Sequence, residues 1–219
     1  MKHTEKELQA LKDEVSQMWL LVMSQLEKSE QAFSNGDMEL AREIISREKR
    51  VDAFELKIDS DCENYIALYA PVAIDLRLVL SLIKISITLE RIGDFAEGIA
   101  RHVIDSDCTT IDPSIMKNLQ CDDMFGILRT MLSDSFTAFY SEDTQLSGRI
   151  LSKDDEIDLI YRRSINILEE YLRNNPAMIR CGLKTMLLIR KLERIGDHCS
   201  NIVEEIVFYV DAKVLKHQK

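Results

Sequence analysis

Four short segments of the chain each carry two acidic residues spaced four positions apart, and two of these segments are nearly identical. The hexapeptide LERIGD occurs at residues 89–94 and again at residues 192–197. Each copy places a glutamate and an aspartate on one face of a helix, about a turn apart. The other two segments read EKRVD and DDEID. Together the four segments supply eight carboxylates at this spacing: Glu48, Asp52, Glu90, Asp94, Asp154, Asp158, Glu193 and Asp197.

These acid pairs are unfavourable in an isolated helix, so we expect another group to compensate for them. Like charges at this spacing cost about 0.2–0.5 kcal/mol. Gly93 and Gly196, one inside each hexapeptide, each cost about 1 kcal/mol relative to alanine. A glycine there permits the close approach of another backbone or a ligand, and paired carboxylates favour a nearby metal, arginine or lysine. Oxygen ligands suit hard cations, and iron or manganese also bind to such sites.

An ion-paired surface is the alternative interpretation of any one acid pair. The E-xxx-D spacing occurs by chance in acidic helical proteins, and neighbouring cations could form weak surface pairs with the acids: Arg91, Arg194, Lys49 and Arg50. The recurrence of four pairs at matched positions, two of them beside a glycine, favours cation binding. The role of the two hexapeptide arginines stays open between neutralising the acids and contacting a phosphate or a partner.

Long helices are the elements that must position these acids. Glycine (7 residues) and proline (3 residues) are scarce, which favours long helices. Stop signals lie at the three prolines and at the turns 35–37 and 141–143, where Gly36 suits a helix end and Asp37 the next N-cap. The sequence predicts an all-α fold of six helices, at about 5–34, 37–69, 72–105, 113–140, 143–174 and 177–215.

The two halves of the chain are related by an internal duplication. Ala32-Phe33 matches Ala138-Phe139 at an offset of 106 residues, and the hexapeptides match at an offset of 103. We therefore predict two tandem three-helix bundles, at residues 1–108 and 109–219, with a linker near residues 105–112. In the helical hairpin of each half the acid pairs lie at similar heights, which would bring four carboxylates together.

Composition and charge exclude several classes of protein. The net charge of −10 argues against sequence-independent nucleic-acid binding. The most apolar stretch, residues 72–89, contains three charged residues and is interpreted as a buried helix, so no transmembrane segment is expected. The N-terminus has no apolar region typical of a signal peptide. An odd number of cysteines without CxxC spacing predicts free thiols in a reducing compartment: Cys62, Cys108, Cys121, Cys181 and Cys199.

The combination of these motifs resembles the PhoU family over about residues 8 to 212. It consists of the duplicated LERIGD, the [E/D]-xxx-D on each preceding helix, and DLRLVLSLIK before the first copy. The resemblance implies two similar three-helix bundles that bind iron, manganese or zinc in multinuclear clusters. Carried over by position, the first cluster uses Glu48, Asp52, Glu90 and Asp94. The second uses Asp154, Asp158, Glu193 and Asp197.

The resemblance also implies a function and partners. Family members are non-enzymatic negative regulators of phosphate uptake and phosphate-starvation signalling. They act in the cytoplasm, peripherally on the inner-membrane phosphate ABC transporter and its ATPase subunit, and with a PhoR-type histidine kinase. A homodimer is the expected assembly. The expected metal clusters are either structural or bridge to phosphate.

Two departures from the repeat bear on these expectations. Asp75 precedes Arg77 by two residues in the first half, whereas Met178 takes that place before Arg180 in the second. Tyr161 stands where the first half has Glu55, so the two clusters differ in their acidic surroundings and unequal metal affinities are expected. The rival functions are a metal-dependent phosphohydrolase that uses the carboxylate clusters, and a helical storage or chaperone-like adaptor. For a phosphohydrolase, the sequence shows no obvious nucleophile and no phosphate-binding loop.

Overall fold

The computed structural model describes residues 2–105 and 111–215. In these ranges the chain is helical and forms no strand. The long helices are α1 (Lys2–Asn35), α2 (Met38–Tyr69), α3 (Ala73–Ile104), α5 (Cys121–Ser141), α6 (Ser147–Asn174) and α7 (Ile179–Asp211), and a short α4 spans Pro113–Asn118. Short 3-10 turns at Thr144–Leu146 and Pro176–Met178 precede α6 and α7. The prediction of two three-helix bundles is confirmed.

The predicted turn chemistry is present between the helices. Gly36 adopts a left-handed conformation with φ of 64°, which ends α1. The Asp37 carboxylate then accepts hydrogen bonds from the amides of Glu39 and Leu40, which caps α2. Between α5 and α6, Glu142 takes the left-handed position and Asp143 accepts a bond from the amide of Gln145. A left-handed residue followed by a capping aspartate therefore joins α1 to α2 and also α5 to α6.

The predicted fourth helix, residues 113–140, was wrong as a single element. The chain breaks after α4, where Gln120 has a φ of 53°. This left-handed residue lets α4 pack against α6, and it buries Leu119 completely. No glycine or proline marks the break, so the tertiary packing of Leu119 decided it. The last helix also ends at Asp211, earlier than the predicted 215, because Ala212 is left-handed.

The two halves share one hydrophobic core. Four helices contact one another in turn, α1 with α3, α3 with α7, α7 with α5 and α5 with α1. Trp19 of α1 is fully buried, stacks on Phe139 of α5 with ring centroids 5.4 Å apart, and donates its indole N–H to the Leu132 carbonyl at 3.2 Å. Helix α2 covers α1 and α3, and α6 covers α5 and α7.

The described cysteines agree with the predicted free thiols. Cys62, Cys121, Cys181 and Cys199 are unpaired by disulfides and buried. Cys108 and the predicted boundary between residues 108 and 109 lie outside the described residues. No helix in the described ranges combines the length and the apolar composition that crossing a membrane requires.

Candidate metal centres

The first acid cluster lies between α2 and α3, and Glu48 is its innermost member. Glu48 is 6% exposed, and neither of its carboxylate oxygens has a hydrogen-bond partner. Burial, followed by the nearby carboxylates of Asp94 and Asp52, raises the pKa of Glu48 from 4.5 to about 7. The amide of Gln25 on α1 lies close enough to oppose this shift, but it does not reach hydrogen-bond geometry. A buried carboxyl without a partner fits a cation site.

Gly93 is what allows Glu48 to enter the cluster. A Cβ added at Gly93 would lie 2.9 Å from Glu48 Oε1 and 3.3 Å from the Val51 side chain. The sequence predicted that another backbone or a ligand approaches this glycine, whereas the structure places an acidic side chain of the neighbouring helix there. The glycine costs helix stability so that a carboxylate can lie against the backbone of α3.

The other acids of the first cluster lie close enough to Glu48 and to one another to shift their pKa values. Burial and the charges of Asp94, Asp52 and Glu55 raise the pKa of Glu90, and Arg91 opposes them. Glu97 adds a smaller repulsion on Glu48. The four predicted ligands therefore act on one another, and Glu55 and Glu97 enlarge the acidic surroundings. The polar residue that sequence reasoning missed is Gln25, whose only signal was its place among buried apolar positions of α1.

The second cluster lies between α6 and α7 and is more compact. Asp158, Glu193 and Asp197 each offer a carboxylate oxygen within 4.8 Å of the others, and all three are partly buried. No three acids of the first half come this close in the part of the chain that is described. Burial and the charges of Asp197 and Asp158 raise the pKa of Glu193, whereas Arg194 and Arg190 lower it.

Asp154 repeats the position of Glu48 in this second cluster. It is buried, and a Cβ added at Gly196 would lie 2.9 Å from Asp154 Oδ1. The structure places it beneath the glycine, one turn before Asp158 and apart from the compact group of three. The same combination of an interior glycine and a buried carboxylate thus occurs in both halves.

The hexapeptide arginines contact the acids on their own helices. Arg91 lies 3.5 Å from Glu90 and 3.4 Å from Asp94, and Arg194 donates to Asp197 at 2.7 Å. These arginines are the ion-pairing alternative that the sequence left open. They reach only the outer acids, so the inner carboxyl of Glu48 is not neutralised by them.

The residues of both clusters fit a hard or borderline cation bound through oxygen. Each cluster draws its carboxylates from two helices and includes one deeply buried carboxyl, Glu48 in the first and Asp154 in the second. In the first cluster Asp52 is exposed, whereas the three outer acids of the second are all partly buried. Burial and, after it, repulsion between neighbouring carboxylates raise the pKa values of Glu48, Glu90 and Glu193, and a cation there would relieve the repulsion. Iron, manganese and other divalent ions all accept such carboxylate ligands.

Comparison with known proteins agrees with this architecture. The chain is 32% identical to the phosphate-specific transport system accessory protein PhoU homolog 1 of Thermotoga maritima, over 98% of this chain and 91% of that protein. It is 33% identical to the phosphate-specific transport system accessory protein PhoU of Escherichia coli, over 96% and 86%.

Two solved structures have the same fold. The crystal structure of PhoU from Pseudomonas aeruginosa superposes with a TM-score of 0.89 at 28% identity, covering 95% of this chain and 99% of that one. The phosphate transport system regulatory protein PhoU from Streptococcus pneumoniae gives 0.83 at 25% identity, covering 97% and 99%. The PhoU domain matches residues 15–103 and 122–206, so the chain belongs to the PhoU family.

Proposed function

We propose that the chain is a non-enzymatic accessory regulator of phosphate uptake, which restrains the phosphate-starvation response when phosphate is ample. The observation that carries this proposal is a pair of acid clusters, each built around a helix glycine, in a member of the PhoU family. The proposed partners are the ATPase subunit of a phosphate ABC transporter and a PhoR-type histidine kinase on the cytoplasmic side. The proposed assembly is a homodimer, and the proposed cofactors are iron, manganese or zinc.

The role of the metal in this proposal is to hold two helices together at each cluster. In the first half a cation would join α2 to α3 through Glu48, Asp52, Glu90 and Asp94. In the second half it would join α6 to α7 through Asp154, Asp158, Glu193 and Asp197. A bound cation supplies positive charge that compensates for the crowded carboxylates, and the regulatory surface then depends on metal through the spacing of these helices.

Deletion of the gene tests the regulatory role. In a host that reports phosphate starvation through alkaline phosphatase, deletion is expected to raise this activity in phosphate-rich medium. The intact gene is expected to restore repression, and so is a control variant with two exposed acids replaced, Glu63→Gln/Glu170→Gln. Alkaline phosphatase that stays repressed in the deletion strain would refute the proposed regulation.

Metal binding has a separate test. Protein loaded with iron, manganese or zinc, dialysed and analysed by elemental mass spectrometry is expected to retain metal. Asp94→Asn should abolish metal retention by the first cluster, because that cluster loses an anionic ligand. Asp197→Asn should abolish metal retention by the second cluster for the same reason. The Glu63→Gln/Glu170→Gln variant should retain the wild-type amount. Equal retention in the wild type and in the combined Asp94→Asn/Asp197→Asn variant would contradict the assignment of these ligands.

A further inference from the structure

A buried glutamine of α1 lies beside the first acid cluster. Gln25 is 1% exposed, and neither its amide nitrogen nor its amide oxygen has a hydrogen-bond partner within the described part of the chain. The Gln25 amide lies close enough to the Glu48 carboxylate to oppose the rise of that group's pKa. Both Glu48 oxygens also lack a hydrogen-bond partner among the described residues. Two buried polar groups on different helices thus lie together without satisfying each other.

The antiparallel packing of α1 against α2 accounts for this proximity. Lys28 pairs with Glu43 at 2.7 Å, and further along the same two helices Glu14 pairs with Lys57. Residue numbers therefore rise along α1 as they fall along α2. The buried glutamine and the buried glutamate each fall between these two ion pairs, so both side chains reach the same level of the hairpin, on its inner side.

The second half of the chain shows that packing does not require a polar residue at this position. The offset of 106 residues that relates α1 to α5 aligns Ser29 with Ser135, and both are buried and donate to a carbonyl of their own helix. The same offset aligns Gln25 with Met131, which is 0% exposed. An apolar side chain of similar length thus occupies the matching place. Because an unsatisfied buried amide costs stability, the amide of the first half needs a reason other than packing.

An amide oxygen is a neutral ligand for the same cations that carboxylates bind. Side-chain amide carbonyls occur together with carboxylates in sites for hard cations, where they add a ligand without adding charge. The first cluster already contains four carboxylates that repel one another, so a neutral oxygen adds less repulsion than a fifth carboxylate would. A cation bound by both Glu48 and Gln25 would satisfy the two buried side chains at once.

We propose that Gln25 is a fifth ligand of the first metal centre, bound through its amide oxygen, and that the second centre lacks this ligand because Met131 takes its place. The assignment rests on the metal binding proposed above. The first centre then holds a hard cation such as Mn²⁺ through oxygen ligands from three helices, and it joins α1 to α2 and α3. The second centre joins only α6 and α7, so the two centres differ in affinity.

Manganese binding by the first centre alone tests this ligand. In Asp197→Asn protein the second centre is disabled, so the manganese retained in equilibrium dialysis belongs to the first. Gln25→Met, which copies the second half, is expected to weaken this binding about 10–100-fold, the usual cost of removing a group that supports a metal centre. Gln9→Met is the matched control, because Gln9 is an exposed glutamine of the same helix, and affinity should not change. In Asp94→Asn protein, Gln25→Met should leave manganese binding by the second centre unchanged.

Gln25→Glu separates an oxygen ligand from a hydrogen-bond donor. Glutamate keeps the length and an oxygen of glutamine but loses the amide N–H groups. We therefore expect Gln25→Glu, in the Asp197→Asn background, to bind manganese at least as tightly as glutamine does. Equal losses of affinity in Gln25→Met and Gln25→Glu would mean that the amide donates a hydrogen bond, and the ligand assignment would be overturned.

Urea unfolding shows whether Gln25 serves the fold alone. With chelator, Gln25→Met should unfold at a urea concentration equal to or above that of the wild type, because methionine removes an unsatisfied buried amide. With the same excess of manganese on both proteins the order should reverse, because the wild type binds the ion more tightly. If Gln25→Met lowers the midpoint equally with and without manganese, the glutamine is a structural residue and the proposal fails.

The failure of this ligand is distinguishable from the failure of metal binding itself. If Asp197→Asn protein retains no manganese, the first centre is refuted and the role of Gln25 with it. If that protein retains manganese and Gln25→Met binds it equally tightly, only the role of Gln25 is refuted.

Discussion

Glu48→Gln is expected to stabilise the metal-free protein above pH 7, by about 1–3 kcal/mol relative to wild type. The pKa of Glu48 is about 7 in the folded protein against 4.5 ordinarily. Below pH 4.5 the carboxyl is protonated in both states and contributes nothing. Between pH 4.5 and 7 it ionises only in the unfolded protein, so stability falls by up to about 1.4 kcal/mol per pH unit. Above pH 7 the penalty is complete, and glutamine avoids it.

The measurement is urea unfolding of both proteins with chelator, at pH 5 and at pH 8. The advantage of Glu48→Gln should be larger at pH 8, whereas the exposed control Glu63→Gln should match wild type at both values. A bound cation favours the ionised carboxylate, so loading with metal should stabilise wild type more than the variant. A stability difference that is the same at pH 5 and pH 8 would show that Glu48 ionises normally in the fold.

Gly196→Ala is expected to destabilise the protein by about 1–3 kcal/mol, although alanine favours a helix interior by about 1 kcal/mol. The new Cβ would lie 2.9 Å from Asp154 Oδ1. Asp154 is buried and short, so its carboxylate cannot withdraw without separating α6 from α7. We expect the second cluster to lose its metal in this variant. Gly93→Ala should cost less, because the longer side chain of Glu48 can rearrange.

Gly126→Ala is the matched control for these two variants. Gly126 lies within α5, and an added Cβ there meets nothing within 4 Å. This variant should therefore gain the helix propensity of alanine, up to about 1 kcal/mol, and keep its metal. The midpoints of thermal unfolding and the metal content of the three variants provide the comparison. Stabilisation of Gly196→Ala to the same degree as Gly126→Ala would mean that no carboxylate occupies the space above Gly196.

The sequence by itself determined the helical class, the duplication and the eight acids. Apolar positions recur with helical spacing, and helix breakers are so few that Gly36 and Asp37 are recognisable as a helix end and an N-cap. The identity of LERIGD at 89–94 and 192–197 fixed the repeat. These signals are local or repetitive, so they can be recognised without knowing which helices touch.

The tertiary structure alone decided what those residues contact. The sequence shows a glycine and an acid on different helices, but only the packing of α2 against α3 places the carboxylate of Glu48 against the backbone of Gly93. The break at Gln120 has no local signal, because the burial of Leu119 against α6 outweighs the helix propensity there. The ring contact between Phe95 of α3 and His198 of α7 likewise joins residues about 100 positions apart. Contacts between distant segments depend on how whole helices pack, and that information is not carried by any short stretch of sequence.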